Sequence, residues 1–134
     1  MVPMRALAFH FALVLAVAAC AHRHVARAVA AADALPGALG QRIAVVGVAE
    51  NWKLGPRVVG EAVGLWVDAA SWPSDVRGQR VEVVGRLEER HDLPAFVSDP
   101  AEPPMQGIPA PAGTDLRVAS QRYVLVDPEW RVLR

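Results

Sequence analysis

Two stretches of the chain share one pattern. Gly40-Gln41-Arg42-Ile43-Ala44-Val45-Val46-Gly47-Val48-Ala49-Glu50 recurs as Gly78-Gln79-Arg80-Val81-Glu82-Val83-Val84-Gly85-Arg86-Leu87-Glu88. Each begins Gly-Gln-Arg, alternates through Val and Ile, carries a central glycine and returns to polarity. A period of two marks a half-buried strand, whereas an amphipathic helix needs a period near 3.6. In the second stretch Val81, Val83 and Leu87 share one face, predicted inward, and Arg80, Glu82, Arg86 and Glu88 share the other. In the first, Ile43, Val45 and Ala49 take the inward role. A repeat architecture needs at least three units, so two copies predict similar strands within one sheet.

Gly47 and Gly85 fall in the middle of these strands. Glycine weakens a strand interior, and where it is kept there it usually marks a bulge or a sharp bend. Such a bend lets one strand serve two halves of a closed barrel, and closure removes exposed edges. Arg57-Val58-Val59-Gly60 and Val63 to Asp68 read as two further strands. Ala69 to Arg77 reads as a turn or single helical turn, because Pro73 is preorganised for a helix start. Gln121 to Asp127 reads as the last strand, with Tyr123 and Leu125 on one face.

The expected class is therefore all-β: a small five-stranded OB-like barrel over residues 40–134, with at most one short helix between strands 3 and 4. An SH3-like barrel is the alternative. The strands with Gly-x-x-Val-x-Val-x-Gly character, from Gly40 to Asp127, resemble the small OB-fold domains of secreted or lipid-anchored bacterial proteins. The near absence of a helix between the third and fourth strands departs from that pattern.

The segment in front has a different character. Met1 to Arg5 give a short basic start, and Ala6 to Ala19 run without a charge. A membrane-spanning helix needs about 20 apolar residues, so this run is short for a span and reads as the helical core of a signal peptide over residues 1–19. It closes on Val17-Ala18-Ala19-Cys20, and Cys20 is the single cysteine of the chain. One cysteine makes no internal disulfide. The order aliphatic, small, small, Cys resembles the bacterial lipobox, which implies lipidation of Cys20 and a membrane anchor through acyl chains. An ordinary signal peptide cleaved near Ala19 to Ala21 is the other reading. Residues 20–39 are expected to be the lipidated Cys and an Ala-rich tether, stopped by Pro36 and Gly37. His22 and His24 lie in it and read as solvated. Export to the cell envelope follows, with the outer membrane preferred because Ala21 follows the Cys where an inner-membrane retention signal has Asp.

Charge narrows the function classes. The 14 basic and 14 acidic side chains balance, and no basic stripe of the kind that neutralises phosphates is visible. A nucleic-acid reading would need Arg42, Arg57, Arg80, Arg86 and Arg122 to converge on one groove, and Glu82 and Glu88 share the face of Arg80 and Arg86. An enzyme reading would rest on Glu88-Glu89-Arg90-His91-Asp92. Neighbours on one strand end point in alternating directions, so a solvated strand terminus is preferred to a metal or acid–base site. No cofactor motif is present.

The expected function is thus a non-catalytic binding or interaction domain on a lipid anchor, its partner another envelope protein, a glycan or a small ligand. Trp52 and Lys53 lie in the loop joining the first two strands, and Trp66 has the parity opposite Leu65 and Val67. These three are the candidate contact residues, since an outward indole stacks on ligands. Trp72 is expected to plug the barrel bottom and Trp130 to pack the tail. Pro94, Pro100, Pro103, Pro104, Pro109 and Pro111 crowd the connection from Arg90 to Thr114, which is expected to be an exposed loop.

Overall fold

A computed structural model describes residues 26–134. The signal peptide, Cys20, His22 and His24 lie outside the described residues.

The body is a ring of strands: β2 (Arg42–Trp52), β3 (Gly55–Val59), β4 (Gly64–Val67), β5 (Arg80–His91) and β8 (Gln121–Val132). β2 pairs with β3, β3 with β4, β4 with β8, β8 with β5, and β5 returns to β2. Every pairing in the ring is antiparallel except β4 with β8, which is parallel. Consecutive hairpins generate only antiparallel neighbours, so this parallel contact between the third and fifth ring strands needs the long excursion between β5 and β8. The ring is the small all-β barrel expected from the sequence.

The alternation places the side chains as predicted. Ile43, Val45 and Ala49 from β2, Val58 from β3, Leu65 and Val67 from β4, Val81, Val83 and Leu87 from β5, and Leu125 from β8 fill the interior. Each large aliphatic side chain buried here contributes roughly 1.5–3 kcal/mol. Trp72 is buried at one end and meets the half-exposed Trp130 edge-on at 5.5 Å. The turn that carries Trp72 is a single one, with the N–H groups of Val76 and Arg77 both donating to the Pro73 carbonyl at 3.0 Å. No helix forms between β4 and β5.

The two mid-strand glycines do what their positions demanded. At Gly47 the backbone of β2 passes so close to the end of β3 that a Cβ would stand 2.6 Å from the carbonyl of Val59. Here β2 exchanges partners, pairing with β5 through Val48 and with β3 from Val48 onward. At Gly85 the register of β5 on β8 shifts between Val84 and Arg86. The opposing chain takes up the slack at Asp127, whose φ is 49°. For that reason β8 outruns the expected end at Asp127. The bulge absorbs Asp127 and Pro128, and pairing resumes from Glu129 to Val132 against Val84 to Val81. A proline is tolerated at a bulge because no ladder donor is needed there.

Two further regions differ from expectation. The later part of the 20–39 segment is packed against the barrel. β1 (Arg27–Ala28) pairs in parallel with Ile43 and Ala44 of β2, and the Val29 N–H donates to the Ala44 carbonyl at 3.0 Å. Two short 3-10 turns, Ala32–Ala34 and Pro36–Ala38, then bring Leu35 and Ala38 into the core beside Val29. The free edge of β2 and the apolar Val29 and Leu35 together outweigh the polar, Ala-rich character that suggests a tether. The Pro-rich connection is ordered as well. β6 (Ala95–Val97) and β7 (Ile108–Ala110) form a parallel pair, followed by α1 (Leu116–Ala119). Pro109 donates nothing, but Ile108 and Ser98 on either side close the ladder through Pro94 and Ala110 at 2.7 and 3.1 Å. Asp115 caps α1 by accepting from the Arg117 N–H at 2.9 Å.

Candidate functional site

Cross-strand register builds one row of side chains over the outside of the barrel. Glu50 lies opposite Arg57, Arg57 opposite Trp66, Trp66 opposite Val124, and Val124 opposite Glu88. Trp52 stands two residues beyond Glu50, opposite Gly55, where the hairpin of Lys53 and Leu54 turns the chain. Gly55 has a φ of 135°, a conformation that favours glycine, and leaves room beside the Trp66 ring. On the other side of the row, Gly64 gives the Arg57 guanidinium a bare backbone to lie on.

Trp52 and Trp66 meet edge-to-face at 6.4 Å between ring centroids. The Arg57 guanidinium lies over both, 4.2 Å from the Trp52 centroid and 5.1 Å from that of Trp66. The Trp52 indole N–H donates to Glu50 Oε2 at 2.7 Å, which fixes the ring. Arg122 approaches Trp66 from the β8 side at 5.5 Å. Both guanidiniums are in the range where the ring quadrupole attracts a cation.

Exposure separates the residues expected to make contact. Trp52 is 50% exposed and Lys53 stands open in the turn, as a rim should. Trp66 faces outward, as its parity requires, yet only 8% of it is accessible. It forms a small second cluster with Val124 and Val126, and Leu93 from the long connection packs against that cluster. Trp66 is therefore the floor of the site. Glu50, Arg57 and Arg122 were missed as members of the aromatic site. The available signal was the two-residue hairpin at Lys53-Leu54, which fixes Glu50 opposite Arg57 once the strands are counted outward from it.

The electrostatics of the row are uneven. Arg122 is held by Asp92 through paired contacts from Nε and Nη2, the latter at 2.8 Å. The hydrogen bond from Arg122 pulls the Asp92 carboxyl below the ordinary aspartate value. Arg86 and Arg90 both donate to Glu88, and the Arg86 bond is the chief cause of its lowered value. Arg90 also reaches Asp68 at 3.2 Å, and that contact raises the arginine further. Arg42 pairs with Glu129 and Arg131 with Glu82. Arg57 has no ion pair among the described residues. Its Nε is buried without a hydrogen-bond partner. Burial pulls its guanidinium below the ordinary arginine value, and the charge of Glu50 only partly offsets this.

Of the arginines named for a nucleic-acid reading, Arg42, Arg86 and Arg122 are each engaged by a carboxylate. His91 is tied between the Arg117 carbonyl and Glu89, at 2.8 Å to each. Among the described residues no three His, Cys, Asp or Glu side chains gather as a metal site. An open groove of about 730 Å³ between Ala28, Val46, Val48 and Gly60 is lined mainly by apolar groups and lies apart from the tryptophans. Comparison of the chain with protein-family models, with curated proteins and with solved structures yields no match.

Proposed function

We propose that the chain is a lipid-anchored, non-catalytic binding module of the cell envelope, its barrel presenting the Trp52, Lys53 and Trp66 face to a partner. The anchor part of this reading rests on the sequence: a basic start, an uncharged run, and Val17-Ala18-Ala19-Cys20. The binding part rests chiefly on one observation. Two tryptophans and an arginine converge on the outside of β2, β3 and β4, with Trp52 half-exposed at the edge. An OB barrel uses this region, its second and third strands and the loop between the first two, to hold ligands. Indoles on such a face suit a flat partner surface, whether a glycan, a small ligand or an envelope protein.

Two measurements test the reading. Intact mass of membrane-extracted protein, compared with a Cys20→Ala variant, should show acyl mass on Cys20 and its loss in the variant. Co-purification from solubilised envelope should be lost with Trp52→Ala combined with Lys53→Ala, two exposed changes that leave the core untouched. Recovery of the same partners by that double variant would remove the proposed face.

A further inference from the structure

We infer that the Trp52–Arg57–Trp66 cluster is a carboxylate-binding site, which takes a compact ligand or chain end bearing one carboxylate beside a flat apolar face. The inference rests on the binding face proposed above and assigns it a chemistry.

A guanidinium is planar, permanently charged, and carries five N–H donors in its plane. Aromatic rings attract it through its faces. The Arg57 guanidinium carbon stands 4.2 Å from the Trp52 centroid and 5.1 Å from that of Trp66. The rings offer its N–H groups no lone-pair acceptor. Among the described residues no carboxylate reaches Arg57, and Arg57 Nε is the one buried side-chain polar atom without a partner. A buried donor left unpaired costs free energy, so a guanidinium held this way gains from an acceptor brought to its N–H groups. Glu50 stands opposite Arg57 in register, but its Oε2 accepts from the Trp52 indole and it makes no ion pair with Arg57.

The neighbouring charges define the ligand. A carboxylate offers two coplanar oxygens that match the guanidinium fork. Binding along a polyanion needs a track of unneutralised cations. Here Arg122, Arg86 and Arg90 are already paired with Asp92, Glu88 and Asp68, which leaves Arg57 and the neighbouring Lys53 as the cations of this face without an ion pair among the described residues, too few for a track. The nearby Glu50 charge disfavours a second negative charge on the ligand. Trp52, half-exposed beside Arg57, supplies the surface on which a flat apolar face lies.

The probe pair is cyclohexanecarboxylate and its neutral isostere cyclohexanecarboxamide, titrated through the millimolar range into the full chain. The readouts are tryptophan fluorescence and the NMR signal of the Arg57 Nε–H. The carboxylate should saturate both readouts, with the amide weaker by about tenfold or more, as expected for a charged hydrogen bond. Arg57→Gln should erase the difference between the two probes while thermal unfolding shows a folded barrel, and Arg57→Lys should restore part of it. Glu50→Gln keeps an acceptor for the Trp52 indole and removes the competing charge, so it should tighten carboxylate binding severalfold. Equal response to acid and amide, or an acid preference that survives in Arg57→Gln, overturns the inference. Stronger binding of an oligothymidylate probe than of the carboxylate overturns it in favour of a polyanion. Partners that are lost with Trp52→Ala and Lys53→Ala but retained by Arg57→Gln leave the face standing and the carboxylate chemistry refuted.

Discussion

Gly64 carries the Arg57 guanidinium so closely that a Cβ at Gly64 would stand 2.5 Å from Arg57 Nη2. The atom in the way is the far end of a flexible side chain, so Gly64→Ala displaces Arg57 at little cost. Alanine also restricts the unfolded chain more than glycine does, which offsets part of any loss. The variant should unfold near the temperature of the natural protein. Its tryptophan emission should change, because the cation leaves the Trp52 face. Unchanged emission would mean that Arg57 does not lie on Gly64 in solution.

Gly47→Ala sets the opposite case. Its Cβ would meet the backbone of Val59 and Gly60, at 2.6 Å from the Val59 carbonyl and 2.8 Å from the Gly60 nitrogen. Backbone in the crossing of β2 and β3 has no rotamer with which to retreat. Overpacking of this kind costs about 1–3 kcal/mol or more. At roughly 4–8 °C per kcal/mol for a domain of this size, the melting temperature should fall by at least about 4 °C. A melting temperature equal to that of Gly64→Ala would show that the barrel does not pinch at this point.

The interior of the barrel was legible because its signal is local. Period two over Val81 to Leu87 and over Ile43 to Ala49 states which side chains go inward, and each of these is buried. Gly85 also declared its bulge. What the pattern could not contain was the pairing of distant segments. The parity of Trp66 points it outward, but whether that face is open depends on Leu93, Val124 and Arg122, which come from elsewhere in the chain. Arg57 looked like one arginine among several until register put it between two indoles. The Pro-rich stretch hid β6 and β7 because a short parallel ladder leaves one residue of Pro109 unbonded without penalty. Val29 and Leu35 were obscured by the alanines around them, since composition dilutes the two side chains that matter.

Acid should weaken the outer face in a defined direction. Asp92 and Glu88 both have folded-state values below their ordinary ones, held there chiefly by Arg122 and by Arg86. A depressed carboxyl value adds stability that is complete above the ordinary range, near pH 5, and is lost as pH falls through about 4 toward the lowered folded values. Both pairs are exposed, so the effect is modest. Asp92→Asn should therefore melt below the natural protein at neutral pH and converge with it near the acid end. Melting curves measured across that range check this, and a constant gap at every pH would detach Asp92 from the acid response.

The segment before Gly40 gives the sharpest contrast between two accounts of the same residues. As a free tether it would tolerate any small apolar substitution. Packed as observed, Leu35 is 3% exposed within the main core while Leu39, four residues on, is 39% exposed. Leu35→Ala then loses buried aliphatic volume from the core cluster that also holds Val29, Ala38 and Ile43, and such truncations cost about 2–5 kcal/mol. The melting temperature should drop by at least about 8 °C. Leu39→Ala, which removes the same atoms from the surface, should stay within about 0.5 kcal/mol. The pair controls for composition and helix propensity, so only burial distinguishes them. Equal and small effects would return the segment to the tether and leave β2 with an uncovered edge beside Ile43 and Ala44, which the parallel contact of Arg27 and Ala28 otherwise closes.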